Sequence, residues 1–82
     1  NAHSQIEEIS ISPDSALSGR TLKEAELPKK IGLHIIAMKR RGEGLYTYNP
    51  PADTRMEPGD TAVVLGYGDQ IDEMRKLARE PL

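Results

Sequence analysis

The sequence contains no cysteine, no tryptophan and no phenylalanine, so its only aromatic residues are three tyrosines. Without cysteine, disulfides and thiolate metal sites are excluded, which is compatible with a reducing cytoplasm. With so few aromatic rings, platforms that could stack the bases of single-stranded nucleic acid are scarce. The formal net charge of −2 adds no electrostatic attraction for nucleic acid. We therefore expect no nucleic acid among the partners of this chain.

Long apolar runs are also absent. The longest, residues 35–38 and 62–65, fall far short of the roughly 20 residues that span a bilayer. The first eight residues lack the apolar stretch of a signal peptide. We therefore expect no direct insertion into a membrane.

The length of 82 residues suits one domain. Asn1-Ala2, with no initiator methionine, is typical of what remains of a cleaved expression tag. We expect residues 1–5 to be tag remnant and linker, residues 6–82 to form a single domain, and the natural protein to extend upstream.

Hydrophobic spacing and turn signals predict the order strand, helix, strand, strand, strand, helix. Thr21 and Glu24 fit a capping box, Gly32 supplies a helix stop, and Asp69 is the expected cap of the final helix. The predicted elements are a strand at 6–11, helical turns at 21–27 and 28–31, strands at 33–39, 45–48 and 61–65, and a helix from about 69 to 79. The fold class is therefore α+β, with a small, mostly antiparallel sheet and helices mainly on one face.

Two of the predicted strands, 33–39 and 61–65, do not alternate but are apolar on both faces. A strand has this composition when both faces are covered. The final helix can cover one face with its stripe of Ile71, Met74, Leu77 and Ala78. We expect a second copy, in a homodimer, or a neighbouring domain on the other face. The alternative is a curled sheet whose faces both close on loops.

Catalytic and metal motifs are incomplete. Gly66-Tyr67-Gly68 follows a strand, but a dinucleotide fingerprint would need glycine at position 71, which is isoleucine. His34 has neither a cysteine nor a second well-placed histidine to join it in a metal site. The turn carboxylates do not match a calcium loop, although a weak divalent site stays open; they are Asp53, Glu57 and Asp60. With no nucleophile motif present, we expect neither an enzyme nor a resident metal.

Lys39-Arg40-Arg41 is the densest basic cluster. It is either a solvated hairpin end or, near Asn49-Pro50, a place to hold a phosphate.

Four segments, in order and at similar spacing, resemble the C-terminal domain of the regulator-of-potassium-conductance family, also called TrkA-C. The family's pattern begins with G-[KR]-T-L-x-E at a helix start and continues with an apolar strand that ends in arginine. It closes with an N-P pair and a final strand that is preceded by G-D. The matching segments are 18–24 (SGRTLKE), 31–40 (IGLHIIAMKR), 49–50 with 53–54 (NP, DT) and 57–66 (EPGDTAVVLG).

The resemblance implies a cytoplasmic, usually dimeric domain attached to a nucleotide-binding or membrane transport domain, within a membrane-associated transport complex. It implies a regulatory, ligand-sensing and dimerisation role in a potassium channel or potassium-transport protein. The alternatives are a purely structural dimerisation module, or the same domain appended to another ion transporter or to a transcription regulator. The family offers no catalytic residue to carry over.

Some family members bind cyclic di-AMP at the dimer cleft, so this or another small anionic ligand is the expected one. The residues expected to form the cleft are Ile36, Met38, Lys39, Arg40, Asn49 and Pro50. Ile36 and Met38 would offer an apolar wall, Arg40 a fork for phosphate, and Asn49 an amide for a base edge. Strand alternation places Ile36, Met38 and Arg40 on one face and Lys39 on the other.

Overall fold

Four strands and three helices make up this protein in a computed structural model that describes residues 3–79. The elements are β1 (Gln5–Ser10), α1 (Leu22–Ala25), α2 (Leu27–Ile31), β2 (His34–Lys39), β3 (Tyr46–Tyr48), β4 (Thr61–Gly66) and α3 (Gly68–Ala78). Asn1-Ala2, where a tag remnant is expected, lies outside the described residues.

The four strands form one sheet in the order β1-β4-β2-β3, and every neighbouring pair is antiparallel. Strand β4 lies in the interior of the sheet, where Ala62 is opposite Ile9 on one side and Met38 on the other. The edge strands are β1 and the three-residue β3. The predicted α+β class with an antiparallel sheet is confirmed.

A β-bulge interrupts β2 at Ile36, because Ile35 is opposite Val64 while Ala37 is opposite Val63. An extra residue in one strand changes which side chains share a face. Ile35 and Met38 therefore both pack with the core, whereas Ile36 lies outside it. The expectation that Ile36 and Met38 share a face was wrong, since simple alternation takes no account of a bulge.

The predicted capping box opens α1. The amide of Glu24 donates to Thr21 Oγ1 at 3.1 Å, and the amide of Thr21 donates to Glu24 Oε1 at 2.8 Å. The bond from the Thr21 backbone, helped by its side chain, holds the pKa of Glu24 below its ordinary value. Helix α2 has proline in its first turn and ends at Gly32, whose φ of +76° suits glycine.

Strand β4 continues to Gly66, one residue further than predicted, and helix α3 begins at Gly68, one residue earlier than predicted. Its N-cap is Tyr67 rather than Asp69, and the amide of Tyr67 donates to Gln70 Oε1 at 2.8 Å. Asp69 instead lies in the first turn, where a negative charge favours the positive end of the helix dipole.

The core lies between α3, the two short helices and one face of the sheet. The predicted stripe on α3 is confirmed: Ile71, Met74 and Ala78 are buried, and Leu77 packs against them. Burial alternates along β4, the strand beneath this helix: Ala62 and Val64 are buried, whereas Thr61, Val63 and Leu65 are only half-buried. The face of the sheet opposite α3, here called the outer sheet face, carries these half-buried residues.

Met74→Asp tests this packing. Met74 is 0% exposed, so the variant buries a carboxylate without a partner and should lower the free energy of unfolding by several kcal/mol. Urea denaturation followed by circular dichroism measures the change. Lys76→Asp, which places a carboxylate on an exposed position of α3, is the control; it loses the contact with Glu73 and a favourable helix-end charge, and should lower stability by only about 1 kcal/mol. Equal midpoints for the parent and Met74→Asp would contradict the packing.

Candidate ligand-binding site

The predicted site residues come from β2, from the residue after it and from the loop after β3. The amide of Asn49 donates to the carbonyl of Ile36 at 2.7 Å, which joins that loop to the bulge. Asn49 has a φ of +49°, a left-handed conformation that asparagine tolerates better than most residues. Ile36, Asn49 and Pro50 are therefore held close together, although they are far apart in the sequence.

Met38 does not join them at the surface. Its side chain is 3% exposed and belongs to the core cluster, opposite Ala62 of β4 and Thr47 of β3. The expected apolar wall of Ile36 and Met38 is thus not formed, because the bulge turns Met38 inward.

The guanidinium of Arg40 is not free in solvent, because part of it is already bonded to other residues of the protein. Its Nη1 forms an ion pair with Asp60 Oδ2 and donates to the carbonyl of Arg55 at 2.7 Å. The register explains the pairing: Lys39 is opposite Thr61, so Arg40 and Asp60 face each other just beyond the ladder. The Arg40 side chain stays 40% exposed, whereas that of Asp60 is only 2% exposed.

Asp60 accepts two further hydrogen bonds from backbone amides. Glu57 donates to Oδ2 at 2.9 Å, and Arg41 donates to Oδ1 at 3.3 Å. A buried carboxylate is costly unless its oxygens are paired. This one joins the end of β2 to the turn that precedes β4.

Lys39 lies on the outer sheet face. Its Nζ is 5.1 Å from the ring centroid of Tyr46, the residue opposite it on β3, within the range of a cation–π contact. The Tyr46 hydroxyl donates to Glu8 Oε1 on β1 at 3.0 Å. Since β1 and β3 are the two edge strands, this bond crosses the outer sheet face over β4 and β2.

The rest of the outer sheet face is open and partly apolar. The register places Ile6 and Tyr48 on it, because they pair with Leu65 and with Ala37, the partner of Val63. Ile6 is 63% exposed and Tyr48 is 72% exposed. No helix within residues 3–79 covers this face.

An open pocket of about 410 Å³ lies beside the loop that carries Pro50. It is formed by the two short helices, the start of β2 and that loop; the lining residues are Leu22, Lys23, Glu26, Leu27, Pro28, Lys29, His34, Ile35, Pro50 and Ala52. Its lining is mainly apolar, with Lys23, Lys29 and Glu26 as its charged residues. Lys29 Nζ lies 3.8 Å from Glu26 Oε2, so the charge of this lysine is partly neutralised. Of the predicted site residues, only Pro50 lines the pocket.

The sequence did not predict that α1 and α2 line this pocket. The amide of Leu22 donates to the carbonyl of Thr54, and that of Lys23 to the carbonyl of Ala52, both at 2.9 Å. These bonds bring α1 against the loop after β3. No local pattern signals them; the only sequence clue was the N-P pair in that loop.

Among residues 3–79, no group of three or more histidine, aspartate or glutamate side chains is placed to hold a metal ion. Within the same range, no helix combines the length and the apolar character needed to cross a bilayer.

The chain matches the TrkA-C domain family over residues 6–79. No curated protein matches it by sequence at a significant level. Among solved structures, it is similar to the RCK_C domain dimer of S. agalactiae BusR in complex with c-di-AMP, with a TM-score of 0.80 and 26% identity. That match covers 90% of this chain and 89% of the other. BusR in complex with its busAB-promotor DNA matches as well, but there this chain covers only 35% of the longer one.

The chain is also similar to the RCK C domain of the potassium transport protein KtrA in complex with cyclic diadenosine monophosphate. The TM-score is 0.77 at 22% identity, over 89% of this chain and 81% of that one. The GsuK channel bound to NAD has the same TM-score at 20% identity, over 93% of this chain and 14% of that chain. These two likenesses support the fold alone. Because the family match spans nearly all of the described residues, the chain belongs to the TrkA-C domain family of regulatory domains.

Proposed function

We propose that this domain is a cytoplasmic regulatory module that binds a small anionic ligand, of the cyclic dinucleotide class, and passes the signal to an attached ion-transport protein. The observation that carries the proposal is the mainly apolar pocket beside Pro50, whose lining includes Lys23 and the ion pair of Lys29 with Glu26. Two relatives of the same fold, BusR and KtrA, were solved in complex with c-di-AMP. An apolar pocket with a few charged groups suits a flat base that carries a phosphate.

Each side of the site has a separate task in this proposal. Leu22, Ile35 and Pro50 offer an apolar surface to a base. The side-chain amide of Asn49 is exposed beside Pro50 and can donate to a base edge or accept from it. Arg40, which donates to the carbonyl of Arg55 in the same loop, is assigned to a phosphodiester through its remaining N–H groups. Lys39, over the ring of Tyr46, adds a positive charge at the end of β2.

The proposal includes a homodimer. The outer sheet face leaves Ile6 and Tyr48 exposed, and Val63 and Leu65 half-buried. A second copy seated there would cover these apolar groups, and a two-fold axis would place two equivalent ligand sites in one assembly. The BusR relative was solved as an RCK_C domain dimer.

The parent protein is proposed to be a potassium channel or transporter, as the family's name and the KtrA and GsuK relatives suggest. A transcription regulator is the second candidate, because BusR was solved with promoter DNA. In that case the DNA contacts would belong to the rest of the parent, since this chain has a net charge of −2.

Isothermal titration with cyclic di-AMP tests the ligand. We expect saturable heat from the wild-type domain, called the parent in the experiments below, and weaker binding by Asn49→Gly. This variant removes the side-chain amide and keeps a left-handed backbone position that glycine accepts. The loss of about one hydrogen bond should weaken binding roughly five- to tenfold. Arg79→Gly is the matched control, because Arg79 is also left-handed, with a φ of +51°, and terminates α3. No heat from the parent at high micromolar ligand would exclude cyclic di-AMP and favour a purely structural module.

Equilibrium sedimentation tests the dimer. At micromolar concentration we expect twice the chain mass of 9.1 kDa. Ile6→Lys should shift the equilibrium to monomer without loss of stability, because Ile6 is already exposed in the single chain. Asp72→Lys, on the exposed face of α3, should leave the dimer intact. A strictly monomeric parent would contradict the proposed assembly.

A further inference from the structure

The guanidinium of Arg40 is held by one of its two edges. Both of its hydrogen-bond partners, Asp60 Oδ2 and the carbonyl of Arg55, bond Nη1. Within residues 3–79, no protein acceptor bonds Nε or Nη2. Because the side chain is 40% exposed, this second edge is available to a ligand.

The group that holds Arg40 is itself firmly anchored. Asp60 is 1% exposed and accepts from the amides of Glu57 and Arg41. Its own amide donates to the carbonyl of Glu57 at 3.0 Å, and its carbonyl accepts from the amide of Ile11 at 2.9 Å. The carboxylate therefore has little freedom to follow a moving arginine.

Arg41 reinforces this arrangement. Its side-chain stem lies over Gly59, so that a Cβ at Gly59 would come within 2.6 Å of Arg41 Cδ. Gly59 has a φ of +87° and donates from its amide to the carbonyl of Ile11 at 2.8 Å. The end of β2, the turn before β4 and the end of β1 are thus joined around Asp60.

A planar guanidinium fixed at one edge presents its other donors in a defined direction. A phosphate that meets two such donors forms a bidentate pair, and little side-chain entropy remains to be lost on binding. A free arginine would have to be immobilised by the ligand itself.

We propose that Asp60 is a positioning residue for anion binding: by holding Nη1 of Arg40, it directs Nε and Nη2 toward a phosphate of the ligand. The inference deepens the proposed function and rests on it for the identity of the natural ligand. Asp60 does not touch the phosphate. Its charge also neutralises Arg40, so its contribution is direction rather than attraction.

The test uses inorganic pyrophosphate as the probe, with affinities taken from backbone amide shifts in nuclear magnetic resonance titrations. Asp60→Asn should weaken pyrophosphate binding about three- to tenfold, the cost of immobilising one long side chain. The same substitution in an Arg40→Ala background should change nothing further, because Asp60 acts through Arg40. The Arg40 Nη1 protons, which make both hydrogen bonds, should exchange slowly with water in the wild-type domain and faster in Asp60→Asn.

Two further variants complete the design. Glu57→Gln removes a charge from the same turn without touching Arg40 and should bind like the parent. Arg40→Lys keeps the charge but lacks the planar fork that can place two donors on one phosphate, so its affinity should fall even though Asp60 is intact. This variant provides the test if Asp60→Asn fails to fold.

Several results would overturn the positioning role. The first is that pyrophosphate leaves the spectrum of the wild-type domain unchanged, and the second is that Asp60→Asn binds it more tightly. The third is that Asp60→Asn lowers the affinity in the Arg40→Ala background as much as in the wild-type domain. The fourth is that Arg40→Lys binds pyrophosphate as tightly as the wild-type domain. The proposed ligand is tested separately by the heat of cyclic di-AMP binding. A positive pyrophosphate result without that heat would retain the role of Asp60 and reject only the cyclic dinucleotide.

Discussion

The ion pair between Arg40 and Asp60 is the contact on which the arrangement of the loops depends. One buried carboxylate accepts from an arginine and from two backbone amides, and these donors come from the end of β2 and from the turn before β4. Removal of one partner from such a pair is costly, because the other charge stays desolvated or the amides lose their acceptor. The register of β2 and β4 and the position of the hairpin are thereby linked to a single side chain.

Local signals predicted much of the fold. The capping box at Thr21 and the stripe of α3 were predicted correctly because each depends on residues within one or two turns of helix. The cap of α3 was misplaced by two residues, because Asp69 is a preferred cap type whereas the actual cap is Tyr67, whose amide donates to the Gln70 side chain. The bulge at Ile36 had no sequence signal at all, because it is defined by the pairing with β4.

The site was less predictable than the fold for the same physical reason. The fold brings Asn49, Pro50 and Ile36 close together, but Met38, which was expected to form an apolar surface with Ile36, is buried in the core. The pocket next to Pro50 owes half its lining to α1 and α2, which reach the loop through backbone hydrogen bonds. Such bonds carry no residue preference, so the pattern of side chains does not indicate them. The partner of Arg40 was also not predicted, because Asp60 was expected only as a turn carboxylate or as a ligand of a weak divalent site.

The two edges of the sheet differ in a way that limits how copies of this domain can associate. Strand β1 carries Glu7 and Glu8 along its edge, and charges of this kind discourage the addition of another strand. Strand β3 consists of Tyr-Thr-Tyr and carries no charge. Open-ended polymerisation through the sheet needs two adhesive edges, one for each neighbour. A sheet with only one such edge can pair with itself once and then stops growing, so the uncharged edge does not expose the protein to fibre formation.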